Sequence, residues 1–170
     1  MINIVLLEPE IPANTGNIGR SCVVTGSMLH LIRPLGFSLD EKQVKRAGLD
    51  YWPHLQYQVY EDLDDFYVKN PMAKQRMFFA TTKAYKKYTE AEYQDGDYII
   101  FGKESAGIPE EILTEHEGSC IRIPMRPVIR SLNLSNSVAI ILYEALRQLD
   151  FPDLETAGNL HRMHWKGDVK

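Results

Sequence analysis

Three stretches of the chain concentrate residue types that can handle a ligand. The first is Asn14-Thr15-Gly16-Asn17-Ile18-Gly19-Arg20. Its glycines and asparagines tolerate unusual dihedrals and let a ligand approach the backbone closely. Asn14 or Thr15 can cap a helix there, with Arg20 near its first turns, beside exposed N–H groups that could hold a phosphate. The same residues can equally be a plain cap with an arginine paired to a surface carboxylate. The second stretch, Phe101-Gly102-Lys103-Glu104-Ser105-Ala106-Gly107-Ile108-Pro109, can present several backbone N–H and C=O groups to a ligand. It can also be a tight strand-to-helix connection, a common use of glycine. The third runs from Ile121-Arg122-Ile123-Pro124-Met125 to Ser131-Leu132-Asn133-Leu134-Ser135-Asn136-Ser137. There Ser131 and Asn133 could bond a ligand while Ser135 or Asn136 caps the following helix.

Other chemistries leave no trace. There is no G-x-G-x-x-G after a strand, no phosphate loop ending in GK[ST], no H-E-x-x-H and no G-x-S-x-G, which weakens four common enzyme classes. No Cys/His spacing suits zinc, so no metal is expected. Asn133-Leu134-Ser135 has the form of a glycosylation acceptor, but the N-terminus has no basic region and its apolar run is broken by Glu8 and Glu10, unlike a signal peptide.

The elements that must position these stretches alternate. Residues 2–7, 28–32, 55–60, 76–80, 97–101 and 119–123 read as strands. Residues 40–48, the segment from Glu61 to Asn70, residues 109–114 with Pro109 at the first position, and residues 135–149 read as helices. A helix from Asn14 or Thr15 ends near Thr25, with Gly26 as its stop. Val138, Ile141, Leu142, Ala145, Leu146 and Leu149 form an apolar stripe, either core or dimer interface. The polar segment 81–97 reads as loop. Such alternation predicts an α/β fold, a mainly parallel sheet flanked by helices. Ligands in such sheets sit beyond the carboxyl ends of the strands, which singles out loops 8–19, 80–88, 102–109 and 124–136.

The 170 residues suit one domain, and a 44% hydrophobic, 25% charged composition excludes a disordered or collagenous chain. Nineteen Lys and Arg against 23 Asp and Glu give a net charge of −4, so any nucleic-acid surface must be a local patch. Cys22 and Cys120 are expected as free, packed thiols. No apolar stretch approaches a membrane span, so the expectation is a cytoplasmic protein without a membrane partner.

Taken together, NTGNIGR, FGKESAGIP and IRIPM…SLNLSNSVA resemble, in order and spacing, the three motifs of the SPOUT superfamily of RNA methyltransferases. The opening NIVLLEPEIPANTGNIGR, with RAGLDYW at 46–52 and YQDGDYIIFG at 93–102, is most similar to its TrmL/YibK-like subgroup, the tRNA (cytidine/uridine-34)-2′-O-methyltransferases. The resemblance covers residues 1–150 and leaves 151–170 as an extension without a role. It implies a C-terminal deep trefoil knot, against the general rarity of knots, and a homodimer whose sites are completed by the partner chain. It also implies S-adenosylmethionine as methyl donor and the wobble nucleotide of a tRNA anticodon loop, of leucine isoacceptors, as acceptor. A ribosomal RNA substrate and a non-catalytic RNA-binding or assembly factor are the competing expectations.

By the same resemblance, Ala80, Thr81, Gly102, Glu104, Gly107, Ile123, Met125, Ser131 and Leu132 would line the methyl-donor pocket. Arg20, Asn14 and Asn133 would be catalytic, with Asn17 beside them. Gly19 departs from the motif, standing where a bulkier aliphatic residue would be ordinary. A guanidinium stays charged, so Arg20 suits a phosphate clamp and alkoxide stabiliser better than a base. RNA contacts are expected from Lys83, Lys86 and Lys87 with Tyr85 and Tyr88, and from Arg126 and Arg130, while Lys42, Lys45 and Arg46, also candidates, read rather as a solvated face. His161 and His164 read as solvated, and Trp165 as docking on the core or a partner.

Overall fold

Short apolar runs whose two faces are both buried can only be interior strands, and this chain has three side by side. In the computed structural model, which describes residues 1–39, 50–163 and 165, strands β1 (Asn3–Leu7), β2 (Met28–Ile32), β3 (Tyr57–Tyr60), β4 (Met77–Ala80), β5 (Lys86–Lys87), β6 (Tyr98–Phe101) and β7 (Cys120–Arg122) form one sheet. Its order is β3-β2-β1-β6-β4-β7-β5. Every pairing is parallel. The expected parallel α/β architecture is therefore present, with β5 an added two-residue strand inside the segment read as loop. The expected helix over 40–48 lies outside the described residues.

Among the described residues, four α-helices cover the sheet: α1 (Pro12–Thr25), α2 (Leu63–Lys69), α3 (Glu110–Glu115) and α4 (Leu134–Gln148). Alternation along each strand divides the core between two faces. Ile4, Leu6, Leu29, Leu31, Ile99 and Phe101 meet α1 through Ile18 and Cys22, and α4 through Val138, Ile141, Leu142, Ala145 and Leu146. Val5, Ile32, Phe79 and Ile100 meet α2 through Phe66 and α3 through Leu113. The stripe of α4 is thus core. Cys22 and Cys120 are both free and buried, and burial alone pushes the Cys22 thiol up to about 12.

Helix ends follow partly different rules from those expected. Gly26 is the stop of α1, in the left-handed region at φ 64°. But α1 starts at Pro12, not after Asn14 or Thr15, and its N-cap Ile11 has no side-chain acceptor. Asp62 caps α2, accepting from the Asp65 N–H at 2.7 Å. Pro109 precedes α3 as the cap residue, instead of filling its first turn. Asn133, not Ser135 or Asn136, caps α4. In the tail, Phe151 and Leu154 pack on the core, while Trp165 is 56% exposed and donates its indole N–H to the Gly158 carbonyl.

One buried polar chain runs through the sheet. Asn3 donates to the carbonyls of Gly96 and Asp97, which leaves its Oδ1 as an acceptor for His30 Nε2 at 3.1 Å. His30 Nδ1 lies 2.8 Å from the Tyr60 hydroxyl. These partners suit a neutral imidazole with its proton on Nε2. Burial lowers the His30 pKa to about 4. Below pH 6.5 the unfolded chain takes a proton that the fold refuses. Stability should therefore fall as pH drops from 6.5 to 4, by roughly 3 kcal/mol from this group, and be insensitive to it above. NMR should find the His30 ring still neutral at pH 5.5; a ring titrating near 6.5 would contradict this.

Candidate active site

The strand order brings β1, β6, β4 and β7 side by side, so the loops leaving their carboxyl ends share one rim. The sheet reverses its winding here, the place where open α/β sheets bind ligands. A cavity of about 460 Å³ opens between these loops, within the range of small-molecule sites. Ile11 and Asn14 come from the β1 side, and Ala80, Thr81, Thr82 and Lys83 from β4. Gly102 to Ile108 follow β6, and Ile123, Met125 and Arg130 to Leu134 follow β7.

A dense set of polar contacts holds the rim. Glu8 sits at φ 53°, in the left-handed region. Its N–H bonds the Ile32 carbonyl and its carboxylate takes Lys103 Nζ at 2.7 Å. That contact raises the Lys103 pKa. Glu10 accepts from the Ser105 N–H at 2.9 Å and from its hydroxyl at 2.8 Å, which holds the Glu10 carboxyl below the usual range. Between them, Glu104 turns the other way. It accepts from Glu10 N–H at 2.8 Å, Ile11 N–H at 3.3 Å and Asn14 Nδ2 at 2.9 Å. This carboxylate does at the start of α1 what the Ile11 side chain cannot.

The chain of contacts continues. Asn14 Oδ1 accepts from Asn133 Nδ2 at 3.0 Å. Asn133 Oδ1 accepts from the N–H groups of Ser135 and Asn136, and from the Ser135 hydroxyl. Glu104, Asn14 and Asn133 thus tie three loops into one line of hydrogen bonds ending at the first turn of α4. Gly102 is required by closeness alone. A Cβ there would lie 2.1 Å from the Gly107 carbonyl carbon. Gly107 closes the loop at φ 73°, with its N–H on the Lys103 carbonyl.

All nine positions that the resemblance implied for the pocket, Ala80, Thr81, Gly102, Glu104, Gly107, Ile123, Met125, Ser131 and Leu132, line this cavity, as do Asn14 and Asn133. Arg20 and Asn17 do not. Because α1 starts at Pro12, Arg20 is well past the first turns, about 9 Å along the axis from Asn14 and about 120° around it. It pairs with Asp50 at 3.3 Å and lies 4.4 Å above the Tyr51 ring. No helix-terminal phosphate cradle forms around it. Gly19 is not a free position either. A Cβ there would come within 3.0 Å of Leu55, so a bulkier aliphatic residue requires the segment packed on α1 to shift.

The sequence reading missed the walls made by Ile11, Ile108 and Ile141, whose residue type signals only core. It also missed Asp50 and Tyr51 beside Arg20. The packing of segment 50–55 onto α1 has no periodic signature. Among the described residues, no three His, Cys, Asp or Glu side chains group as a metal site requires, and no helix is long and apolar enough to cross a membrane.

A parallel sheet with a loop-built cavity at its winding reversal, held together by motif asparagines and a motif glutamate, defines a site on the SPOUT plan. The model of the SpoU rRNA methylase family matches residues 1–143. A tRNA (cytidine(34)-2′-O)-methyltransferase from Methylovorus glucosotrophus is 51% identical over 155 residues, 89% of this chain and 97% of that one. A crystal structure from Bacillus anthracis superposes with a TM-score of 0.87 at 47% identity, covering 91% of this chain and 98% of that one. Another solved structure, concerned with 2-OH methylation of C/U34 on tRNA, has a TM-score of 0.80 at 42% identity, covering 88% and 97%. The chain belongs to the SpoU methylase family and is a methyltransferase.

Gly102→Ala should abolish binding of S-adenosylmethionine by calorimetry, since the loop must open to admit the methyl group. Asn14→Ala should leave the Glu104 and Asn133 groups short of partners and lower unfolding free energy by about 2 kcal/mol, measured by denaturant titration.

Proposed function

We propose that this chain transfers a methyl group from S-adenosylmethionine to the ribose 2′-hydroxyl of nucleotide 34, C34 or U34, in the anticodon loop of tRNA. Leucine isoacceptors are the proposed substrates, and the homodimer is the working form, with a trefoil knot formed by the segment after β7. The family, and the tRNA (cytidine(34)-2′-O)-methyltransferase activity of relatives about half identical over nearly their full length, support this reading. The observation that carries it is the convergence of three separate loops on one cavity, with Arg20 outside it.

When bound, S-adenosylmethionine supplies an electrophilic methyl group on a sulfonium. Ile123, Met125 and Leu132 offer apolar surface for a flat base, and the backbone of Gly102, Gly107 and Ser131 offers donors and acceptors. Ala80 and Thr81 bound the far side. The Glu104 carboxylate adds a negative charge at the wall, suited to a cationic ligand. With an activated methyl, orientation alone can contribute about 7–11 kcal/mol. Asn14 and Asn133 act by fixing the loops.

Arg20 is the proposed RNA-side residue. It does not line the cavity of its own chain, so in this reading a second copy of the chain brings it there, as a homodimer would. Its guanidinium cannot accept the hydroxyl proton. It orients a phosphate and stabilises the developing alkoxide, and the proton leaves to a substrate phosphate or water.

The basic residues divide into two groups. Lys87 is bound to Glu90, and Tyr88 packs on the core. Lys86 lies in β5, half-buried. Tyr85 is 90% exposed. Lys83 and Arg130 line the cavity, and Arg126 is exposed beside them. These last four are the proposed RNA contacts, Lys83 by exchanging its exposed ion pair with Glu110 for a phosphate. Lys42, Lys45 and Arg46 lie outside the described residues.

Incubation with labelled S-adenosylmethionine and total tRNA should place label on a ribose, seen as an alkali-resistant dinucleotide containing position 34. Label on a base, or on a ribose other than that of nucleotide 34, would overturn the reading. Arg20→Ala should lower kcat on saturating tRNA by about a hundredfold or more, the scale of losing one preorganised oxyanion partner. The logarithm of tRNA affinity should fall with the logarithm of salt, with a slope of roughly −0.7 per phosphate contacted. A flat response would refute a phosphate-contacting surface.

A further inference from the structure

Arg20 is exposed, yet it is not loose. Its side chain is 56% accessible, and that of its partner Asp50 is 82% accessible. Tyr51, immediately following, is 7% exposed. The Tyr51 hydroxyl donates to the carbonyl of Gly16 within α1. Its ring lies 3.5 Å from where a Gly19 side chain would begin. The ring is therefore clamped at its tip and along its flank by the same helix that carries Arg20, one turn before it at Gly16 and next to it at Gly19. The guanidinium rests on this face, its carbon 4.4 Å from the ring centre. The bare flank at Gly19 lets an aromatic ring lie against the helix and form a shelf.

A guanidinium has two flat faces and a donor edge. The shelf occupies one face. Asp50 takes the edge, through Nη2 at 3.3 Å. An ion pair this exposed contributes little, whereas a phosphate can engage the fork bidentately. Asp50 is thus a weak, exchangeable occupant of the donor edge.

We propose that Tyr51 is a positioning residue for Arg20, holding the guanidinium face on its ring so that the donor edge points outward, and that Asp50 keeps that edge until an RNA phosphate displaces it. This rests on the reading of Arg20 as the RNA-side residue of the reaction. The shelf reduces the freedom that a long exposed side chain would otherwise lose on binding. The Tyr51 phenol stays protonated, and so remains a donor to Gly16, because burial raises its pKa.

The test uses full-length protein, total tRNA and labelled S-adenosylmethionine, with kcat and KM measured separately. Tyr51→Leu removes the aromatic face and should lower kcat about tenfold, the scale of one cation–π contact. The KM for S-adenosylmethionine should stay within about twofold, since Tyr51 lies outside the cavity. Tyr51→Phe keeps the face and should recover most of the lost rate, which a purely volumetric role does not separate from Leu. Asp50→Asn, a surface change that does not threaten folding, should lower the KM for tRNA severalfold at low salt, because the phosphate no longer competes with a carboxylate. Tyr51→Leu with unchanged kcat beside an inactive Arg20→Ala would overturn the shelf and leave the role of Arg20 standing. An active Arg20→Ala would remove the role of Arg20 itself. If Tyr51→Leu does not fold, Tyr51→Phe and Asp50→Asn decide. A Phe variant as impaired as Arg20→Ala, or an Asn variant with unchanged or weaker tRNA affinity, refutes the proposal.

Discussion

The carboxylate of Glu104 organises the rim of the cavity, because everything attached to it can be attached in only one way. A carboxylate accepts and cannot donate. The Asn14 amide must therefore turn its nitrogen to Glu104 and its oxygen to Asn133. Asn133, with its own oxygen committed to the first N–H groups of α4, has only its nitrogen to offer. The polarity is fixed from the β6 loop, through α1, to the start of α4. Each loop springs from a different strand, and none could hold this shape alone. Of its members Asn14 is buried, Glu104 half-buried and Asn133 exposed, so a lost link costs most at Asn14, whose buried amide is then short of a partner.

The sheet makes that line possible. In an all-parallel sheet, every strand ends at the same edge, so four neighbouring loops meet without long excursions. Helices on both faces keep the strands dry and leave the edge as the open surface. The loop after β6 folds back on its own start so tightly, Gly107 and Ile108 against Gly102, that only a hydrogen atom fits at Gly102. Acidic residues at 8, 10 and 104 reach across in alternate directions. The rim is thus preorganised before any ligand arrives, which suits a reaction in which placement does much of the catalysis.

The parts legible in the sequence were those with local causes. Buried strands such as residues 28–32 show as apolar runs, and α4 shows its stripe because a long amphipathic helix repeats its pattern. The three glycine- and asparagine-rich loops could be located, since loops after strands carry ligands in this architecture. What escaped has nonlocal causes. The cap of α1 comes from a carboxylate 93 residues away, so Ile11 could not be read as a helix start and Arg20 was set too near the terminus. At the start of α4, Asn133, Ser135 and Asn136 are chemically equivalent caps. The choice falls to Asn133 because its nitrogen is also wanted by Asn14. Gly19 looked replaceable because Leu55, Tyr51 and Trp52 are far off in sequence and adjacent in space.

A net charge of −4 would seem to disfavour an RNA substrate, but total charge is a poor guide to the field at one rim. Near the cavity, the acidic groups are spent inward. Glu8 is matched by Lys103. Glu10 and Glu104 are turned onto backbone and side-chain donors within the loops. Among the described residues, Arg126 and Arg130 lie exposed in the loop after β7. Screening over about 8–10 Å at physiological salt removes most of the influence of acidic residues elsewhere. A phosphate approaching the rim therefore meets available cations, while the carboxylates it might have been repelled by are already occupied in holding the loops.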